Sequence, residues 1–515
     1  MESPSVTLCR TSNQARGLGQ FAIDFMAKKF PLPSEQVFER LELFHIDSVC
    51  CAASALALET NAPTVLRNEA LRHPVKDSGS GAFCFGSSLE ITPEKAVLAN
   101  CAAVREWDAN GTNFGFNPAQ NATAGEFGHN DFYPVPIAAA QSKALNGYQT
   151  TLGMILLDEI RGRFAEVFSL KDHKIDHVLH GAIASTVVYG AMVGATPEQI
   201  ESALGLLIAH YIPYRAIRSG TQLSDSKGAS AALTAEMAIL SMQRAMNGFV
   251  GPADIFRNRQ AIFCLAEPPA SSEESPFDLT LTSGGDDFAI LGMHFKLGLY
   301  EHQSSGAIQA VIDLLQKHPQ MLASGKFPDQ IEITIYEPAY SIICDPAKRD
   351  PQTRQTADHS MLFIVAAILE KAYRTQLIGW KELMLLPCDY TPENICNKTI
   401  RKLMQQIKVI HGGTPYDNKY PEGIPTLLRM HHSDVGQVDS DLIMYPLGHA
   451  QGDFSTMQDV LNYKINRLAS LGVKNAGDLL VRLKNLRAAP PEKVRSIYSF
   501  DIHWNARQIN NSAKD

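Results

Sequence analysis

None of the nine cysteines belongs to a Cys-x-x-Cys pair, so the common zinc and iron–sulfur frameworks are not expected. The thiols stand at 9, 50, 51, 84, 101, 264, 344, 388 and 396. An odd count at irregular spacing reads as reduced thiols inside a cell. A long basic stretch is also missing. With 46 Lys+Arg against 54 Asp+Glu and a formal net charge of −8, no nucleic-acid partner is expected. An anionic ligand would need cations gathered locally. There is no Gly-x-Ser-x-Gly elbow, P-loop or dinucleotide fingerprint, which leaves the corresponding hydrolase, nucleotide and NAD chemistries without a motif. The longest charge-free stretch, His177 to Pro197, carries two histidines, Ser185, Thr186 and three glycines. It reads as a tightly packed internal helix and not as a membrane span. The first patterned segment, with Leu18, Phe21, Ala22, Phe25 and Met26, is already an amphipathic helix, so no secretory leader is expected. A cytoplasmic setting follows, with a mitochondrial one left open. Internal repeats and low-complexity tracts are absent.

What is present is an ordinary globular composition, 45% hydrophobic and 19% charged over 515 residues, long enough for two to four domains. The first half is helical in pattern. Thr92-Pro93 and Thr196-Pro197-Glu198-Gln199 are helix starts, the second with the reciprocal partner of a capping box. Helix-compatible runs continue at 34–58, 142–168, 178–194, 197–210 and 229–246. The polar, proline-rich segment at 265–287 reads as a loop or hinge. Beyond it, Gln330 to Tyr336 alternates apolar and polar residues, the period of a half-buried strand, flanked by helices at 304–317 and 359–373. Residues 454–487 return to helix. The expected fold is mainly α. Residues 1–287 and 446–515 form one large helical domain, and 288–445 form a smaller inserted α+β lid.

Chemistry-bearing residues concentrate between Arg105 and Asp131. Asp108, Asn110, Thr112, Asn113, Glu126, His129, Asn130 and Asp131 stand among glycines at 111, 115, 125 and 128. So many polar groups beside an uncharged run (Val135 to Gln141) are costly unless they meet each other or a ligand, and the segment reads as an active-site wall. A second cluster spans Asp172 to His180. Its His173 and His177 would be i, i+4 neighbours on a helix, but no second ligand group accompanies them, and a capped surface helix start is the simpler reading. Arg215, Arg218 and Lys227 lie between two apolar helices and could clamp carboxylates. Phe295 to Ser304 contains Lys296 and His302. Asp358-His359-Ser360 reads on its own as a satisfied helix start.

Taken in order, these clusters resemble the MmgE/PrpD superfamily. The likeness runs from Leu18 to about Leu471 and includes Leu43-Phe44-His45-Ile46-Asp47-Ser48, the Asp108 to His129 segment and Asp176-His177. It continues through Arg215/Arg218/Lys227, Lys296 to His302, Asp358-His359, and Tyr445-Pro446-Leu447-Gly448-His449. The Arg-x-x-Arg spacing, the Asp358-His359 pair and the last element are closest to the family's dehydratases. The resemblance implies a homodimer with a site between two domains and no metal or other cofactor. The implied substrate is a small tricarboxylate, 2-methylcitrate or a related 2-alkylcitrate, which would lose water to give a cis-aconitate-type product. A decarboxylase of the cis-aconitate type on the same fold is the alternative. Carried over by position, the catalytic residues are His129, His177, Asp108 and Lys227. Thr112, Arg215, Arg218, Lys296 and His302 would bind substrate. Gly228 and Ala229 after Lys227, the long stretch between Asp108 and His129, and Gly298-Leu299-Tyr300 before His302 depart from the family pattern, so the outline around the substrate's alkyl group is expected to differ.

Overall fold

The computed structural model describes residues 4–112, 116, 130–218 and 222–504. It is mainly helical. Helices α1 (Gln14–Met26), α2 (Glu35–Ala57), α3 (Asn61–Ala70), α4 (Pro93–Arg105), α5 (Pro134–Lys143), α6 (Gly147–Val167), α7 (Val178–Val193), α8 (Pro197–His210) and α9 (Asp225–Met246) make up the first half. Alanine and glycine permit close approach: α4 and α7 both pack on α9, and Gly190 of α7 lies where a Cβ would be 2.6 Å from the Met242 sulfur of α9. The Thr196 capping box closes in both directions, at 3.2 and 2.9 Å. At Thr92 the proline start forms, but the threonine side chain makes no capping bond. The run expected at 142–168 is cut at Ala144, which turns left-handed, and α6 starts afresh with a capping box at Asn146.

The second half is mixed. Strands β1 (Ser5–Leu8) and β2 (Leu279–Thr282) form an antiparallel pair. A four-stranded sheet then contains β3 (Gln330–Ile335), β4 (Ile407–His411), β5 (Leu427–His432) and β6 (Gly436–Asp439) in the order β4-β3-β5-β6. The β3–β4 pair is parallel and the others antiparallel. Alternation in β3 buries Ile331, Ile333 and Ile335. Helices α10 (Ser305–Lys317) and α11 (Met361–Thr375) pack together, α10 lies on β5, and α12 (Lys398–Gln406) packs on α11. The chain then returns: α13 (Phe454–Gly472) lies along α2 and α14 (Ala476–Lys484) packs beside it.

The 265–287 segment is fastened more firmly than a free hinge. Ser275 is buried and bonds the Arg10 carbonyl and the Gln14 side chain at 2.9 and 2.7 Å. Asp278 pairs with Arg10, β2 pairs with β1, and Glu159 of α6 accepts from the Thr282 amide at 2.7 Å. Its composition reads as a loop because those tethers are long-range and leave no local pattern. Among the described residues no single helix is long and apolar enough to cross a membrane. None of the nine cysteines is paired.

Candidate active site

The centre of the site is Asp108. Helix α4 ends at Arg105, and Asp108 then takes a left-handed conformation (φ 51°), which an aspartate tolerates better than most residues. The turn folds the carboxylate back under its own helix, where Arg105 donates to Oδ1. Lys296 donates to the same oxygen at 2.6 Å and to the Asp108 carbonyl at 2.7 Å. The second carboxylate oxygen meets Lys227 Nζ at 3.0 Å and His359 Nε2 at 2.9 Å. Three cations and an imidazole therefore converge on one carboxylate only 2% exposed. This mutual satisfaction makes so polar a stretch tolerable in the interior.

His359 joins the centre to a second carboxylate. Its Nδ1 contacts Asp358 Oδ1, and Lys227 Nζ lies 3.1 Å from the same nitrogen. Arg354 donates to Asp358 at 2.7 Å and to Glu106 at 2.7 Å, closing the network from behind. Ser360 performs the capping, accepting from the Phe363 amide, which leaves Asp358 and His359 free for the site. Lys227 is in the first turn of α9, where a cation gains nothing from the helix dipole. Burial brings its ammonium down to about 8 against the pull of Asp108 and Asp358. Burial would raise Asp358, but Lys227, His359 and Arg354 hold it below the usual carboxylate range.

On the opposite wall stand Asp176 and His177, at the entry to α7. An isolated bridge between Ile175 and Tyr214 sets the Arg215–Arg218 turn beside them. Arg218 grips Asp176 with two nitrogens, one of them at 3.1 Å. Burial alone would raise the Asp176 carboxyl, yet Arg218 and His177 hold it far below its ordinary value. Burial pushes His177 well below the usual histidine range, so the ring is neutral near pH 7.

These walls enclose a pocket of about 560 Å³ including its mouth. Arg105, Arg215, Arg218, Lys227 and Lys348 line it against the carboxylates of Asp108 and Glu301. Five cations against two carboxylates give the lining a local cationic excess in a chain of net charge −8, part of it met from behind by Asp176 on Arg218 and Asp358 on Lys227. Burial raises Glu301, which weakens its opposition to an anion further. The pocket therefore offers a neutral imidazole, an ammonium that titrates near pH 8 and forked guanidinium donors, a set suited to proton transfer on a polycarboxylate.

Of the positions expected from sequence, Asp108, His177, Arg215, Arg218 and Lys227 line this pocket together. His129 lies outside the described residues. Lys296 is buried behind Asp108, with its amine committed to that residue. Thr112 is buried in a backbone bridge with His294. His302 stacks on His294 with ring centroids 5.0 Å apart, and His294 stacks on His449 at 4.0 Å. None of these three lines the pocket. His173 precedes α7 and pairs with Glu267 at 2.9 Å, so the i, i+4 histidine pair does not form. Among the described residues no three His, Cys, Asp or Glu side chains gather to hold a metal ion. Sequence reasoning assigned no role in the site to His359, Arg105, Glu301 or Lys348. Arg105 and Glu301 fall inside segments that the sequence singles out, Asp358-His359 reads on its own as a helix cap and carries meaning only through the family resemblance, and Lys348 gave no signal.

A mainly helical first half and a mixed second half with a small sheet both contribute side chains to one pocket rich in cations. The chain belongs to the MmgE/PrpD family. The MmgE/PrpD N-terminal domain matches residues 18–270, and the MmgE/PrpD C-terminal domain matches residues 300–479. The pocket straddles these regions, with Arg105 through Lys227 from the first and Glu301, Ile342, Lys348 and His359 from the second. The chain is similar to the 2-methylcitrate dehydratase of Salmonella typhi, at 25% identity over 385 residues, covering 72% of this chain and 74% of that one. It is also similar to the 2-methylcitrate dehydratase of Escherichia coli O157:H7, at 25% identity over 384 residues, 71% of this chain and 73% of that one.

Proposed function

We propose that the protein is a hydro-lyase that removes water from 2-methylcitrate or a related 2-alkylcitrate without a metal. The observation that carries the reading is the convergence, in one buried pocket, of cations, a neutral imidazole and a weakly acidic ammonium. A citrate-type substrate presents three carboxylates. Arg215, Arg218 and Lys348 hold them, and Arg105 faces the carboxylate beside the carbon to be deprotonated, where negative charge develops. His177, neutral at working pH, takes the proton from that carbon. Lys227, still an ammonium below about pH 8, donates a proton to the departing hydroxyl, so that water leaves and the carbon–carbon double bond forms. Asp108 and His359 orient the ammonium. His129 remains a proposed participant on the strength of the family resemblance.

The test follows absorbance of the conjugated tricarboxylate while racemic methylcitrate and longer alkylcitrates are offered in turn, with released carbon dioxide measured in parallel. Formation of the unsaturated tricarboxylate without carbon dioxide supports the reading. Carbon dioxide release from a cis-aconitate-type substrate would establish the decarboxylase instead. No turnover of any tricarboxylate would remove both.

A further inference from the structure

We propose that Lys464, braced by Asp47, is a positioning residue that sets the backbone from which Asp108 and Lys296 project. The inference rests on the reading of the Asp108 pocket as the reaction centre.

Lys464 lies in α13 and is fully buried. Its ammonium has three N–H groups and meets three acceptors: Asp47 of α2 at 2.8 Å, the Lys296 carbonyl at 2.8 Å, and the Ala109 carbonyl. No donor is left over for any other partner. The two carbonyls belong to the segments whose side chains form the central ion pair. The Asp108 carbonyl is itself held by Lys296, so two successive carbonyls of the left-handed turn are gripped by two buried ammonium groups. That fixes the peptide planes on either side of the turn and with them the aim of the Asp108 carboxylate.

The same face of α2 supports the turn by contact. Phe44 stacks on Phe295 with centroids 3.9 Å apart. A Cβ on Gly111 would stand 2.5 Å from the Phe44 ring and 2.2 Å from Asn130 Oδ1, so only glycine lets the backbone after the turn approach this closely. Holding α13 to α2 does not require an ion pair, since apolar side chains of similar volume usually do that as well or better. A buried lysine spending two of its three bonds on these carbonyls points to the site it frames.

The experiment compares Lys464→Met, Asp47→Asn and the double variant by urea unfolding, steady-state kinetics, and competitive acetylation of Lys227 across pH read by mass spectrometry. Lys464→Met leaves the buried Asp47 charge unpaired and is expected to lose stability; the double variant recovers most of it. Turnover does not recover: kcat in the double variant stays about 100-fold down, the scale of an ångström-sized misplacement, while KM moves little. The Lys227 titration also shifts in the double variant, because its Asp108 partner has moved. Asp47→Asn keeps the lysine on its carbonyls and retains far more turnover than Lys464→Met. Recovery of kcat together with stability in the double variant, or an unmoved Lys227 titration, overturns the proposal, as does equal loss of turnover in Asp47→Asn and Lys464→Met. Should the site reading itself be wrong, Asp108→Asn would keep wild-type turnover while the Lys227 titration still shifted in the double variant, so the two failures are distinguishable.

Discussion

Lys227 offers the sharpest test of the chemistry. Its ammonium is 3.0 Å from Asp108 and 3.7 Å from Asp358, and burial still brings it down from 10.5 to about 8. At about 1.4 kcal/mol per unit, that drop means burial, with the repulsion of Arg105 and Arg354, outweighs the attraction of both carboxylates by roughly 3 kcal/mol. The protonated form is the proposed acid, so activity is present below this value and is lost as pH rises through it. A plot of kcat/KM against pH should show an alkaline limb near 8. Lys227→Met removes the acid, and kcat should fall by about 10²–10⁴-fold, the usual span for a positioned proton donor. The alkaline limb near 8 should vanish with it. Lys227→Arg keeps the positive charge but cannot give up its proton in this range, so it should bind substrate better than the methionine variant while remaining slow. If the Met variant kept the limb at pH 8, another group would be titrating and the acid assignment to Lys227 would be wrong.

Further outcomes follow from the neighbouring groups. Arg218→Ala strands the buried Asp176 carboxylate and should cost about 3–5 kcal/mol at pH 7 in urea titrations. In the wild type Asp176 is depressed, so its contribution is present at neutral pH and lost as pH falls. In the variant the unpaired carboxyl can protonate, so the deficit should shrink toward pH 4, and a deficit that grew on acidification would refute this assignment. His359→Gln keeps one hydrogen bond but breaks the bridge between Asp108 and Asp358 that orients Lys227, and kcat should drop about 10–100-fold with little change in KM. Turnover should survive prolonged EDTA treatment in air, and activity lost to the chelator and restored by iron or zinc would sink the metal-free mechanism. His129→Gln tests the carried-over histidine: a fall in kcat of about 10²–10⁴-fold would move one proton transfer to it from His177 or Lys227, whereas near-normal turnover leaves both where they are assigned.

The helices were legible where the signal is local. The Thr196 box needs only four residues, and the strand at 330–335 declares itself by alternation. The parallel pairing of that strand with 407–411 has no local signature, because it is set by segments more than seventy residues apart. The core of the site was legible as polar density around Asp108 and as the Arg215, Arg218 and Lys227 run. His359 served the resemblance but was given no role in the site, because Asp-His-Ser before an apolar run is a sufficient helix start by itself, and only tertiary packing shows that Ser360 alone does that work. Lys464 gave no signal, since a lysine in an amphipathic helix ordinarily faces water and its burial here depends on α2. Lys296 and His302 stand near the centre in sequence logic, yet the first is held behind Asp108 and the second stacks into a row of histidines.

The bond from Lys464 to Asp47 spans 417 positions of the chain. During synthesis α2 emerges early, and its Asp47 and the carbonyl of Ala109 must wait for α13 before their partner exists. The last residue of the pocket lining, His359, precedes Lys464 by 105 residues, which at about 5–20 residues per second is a delay of roughly 5–20 s. Throughout that interval a nascent chain already contains every described residue of the pocket wall but not the group that frames it. Folding of the N-terminal helices can therefore run ahead of assembly of the reaction centre. A polypeptide ending before α13 would leave the buried Asp47 charge and two carbonyls with no donor, making it a target for chaperones or proteases and not a shortened enzyme.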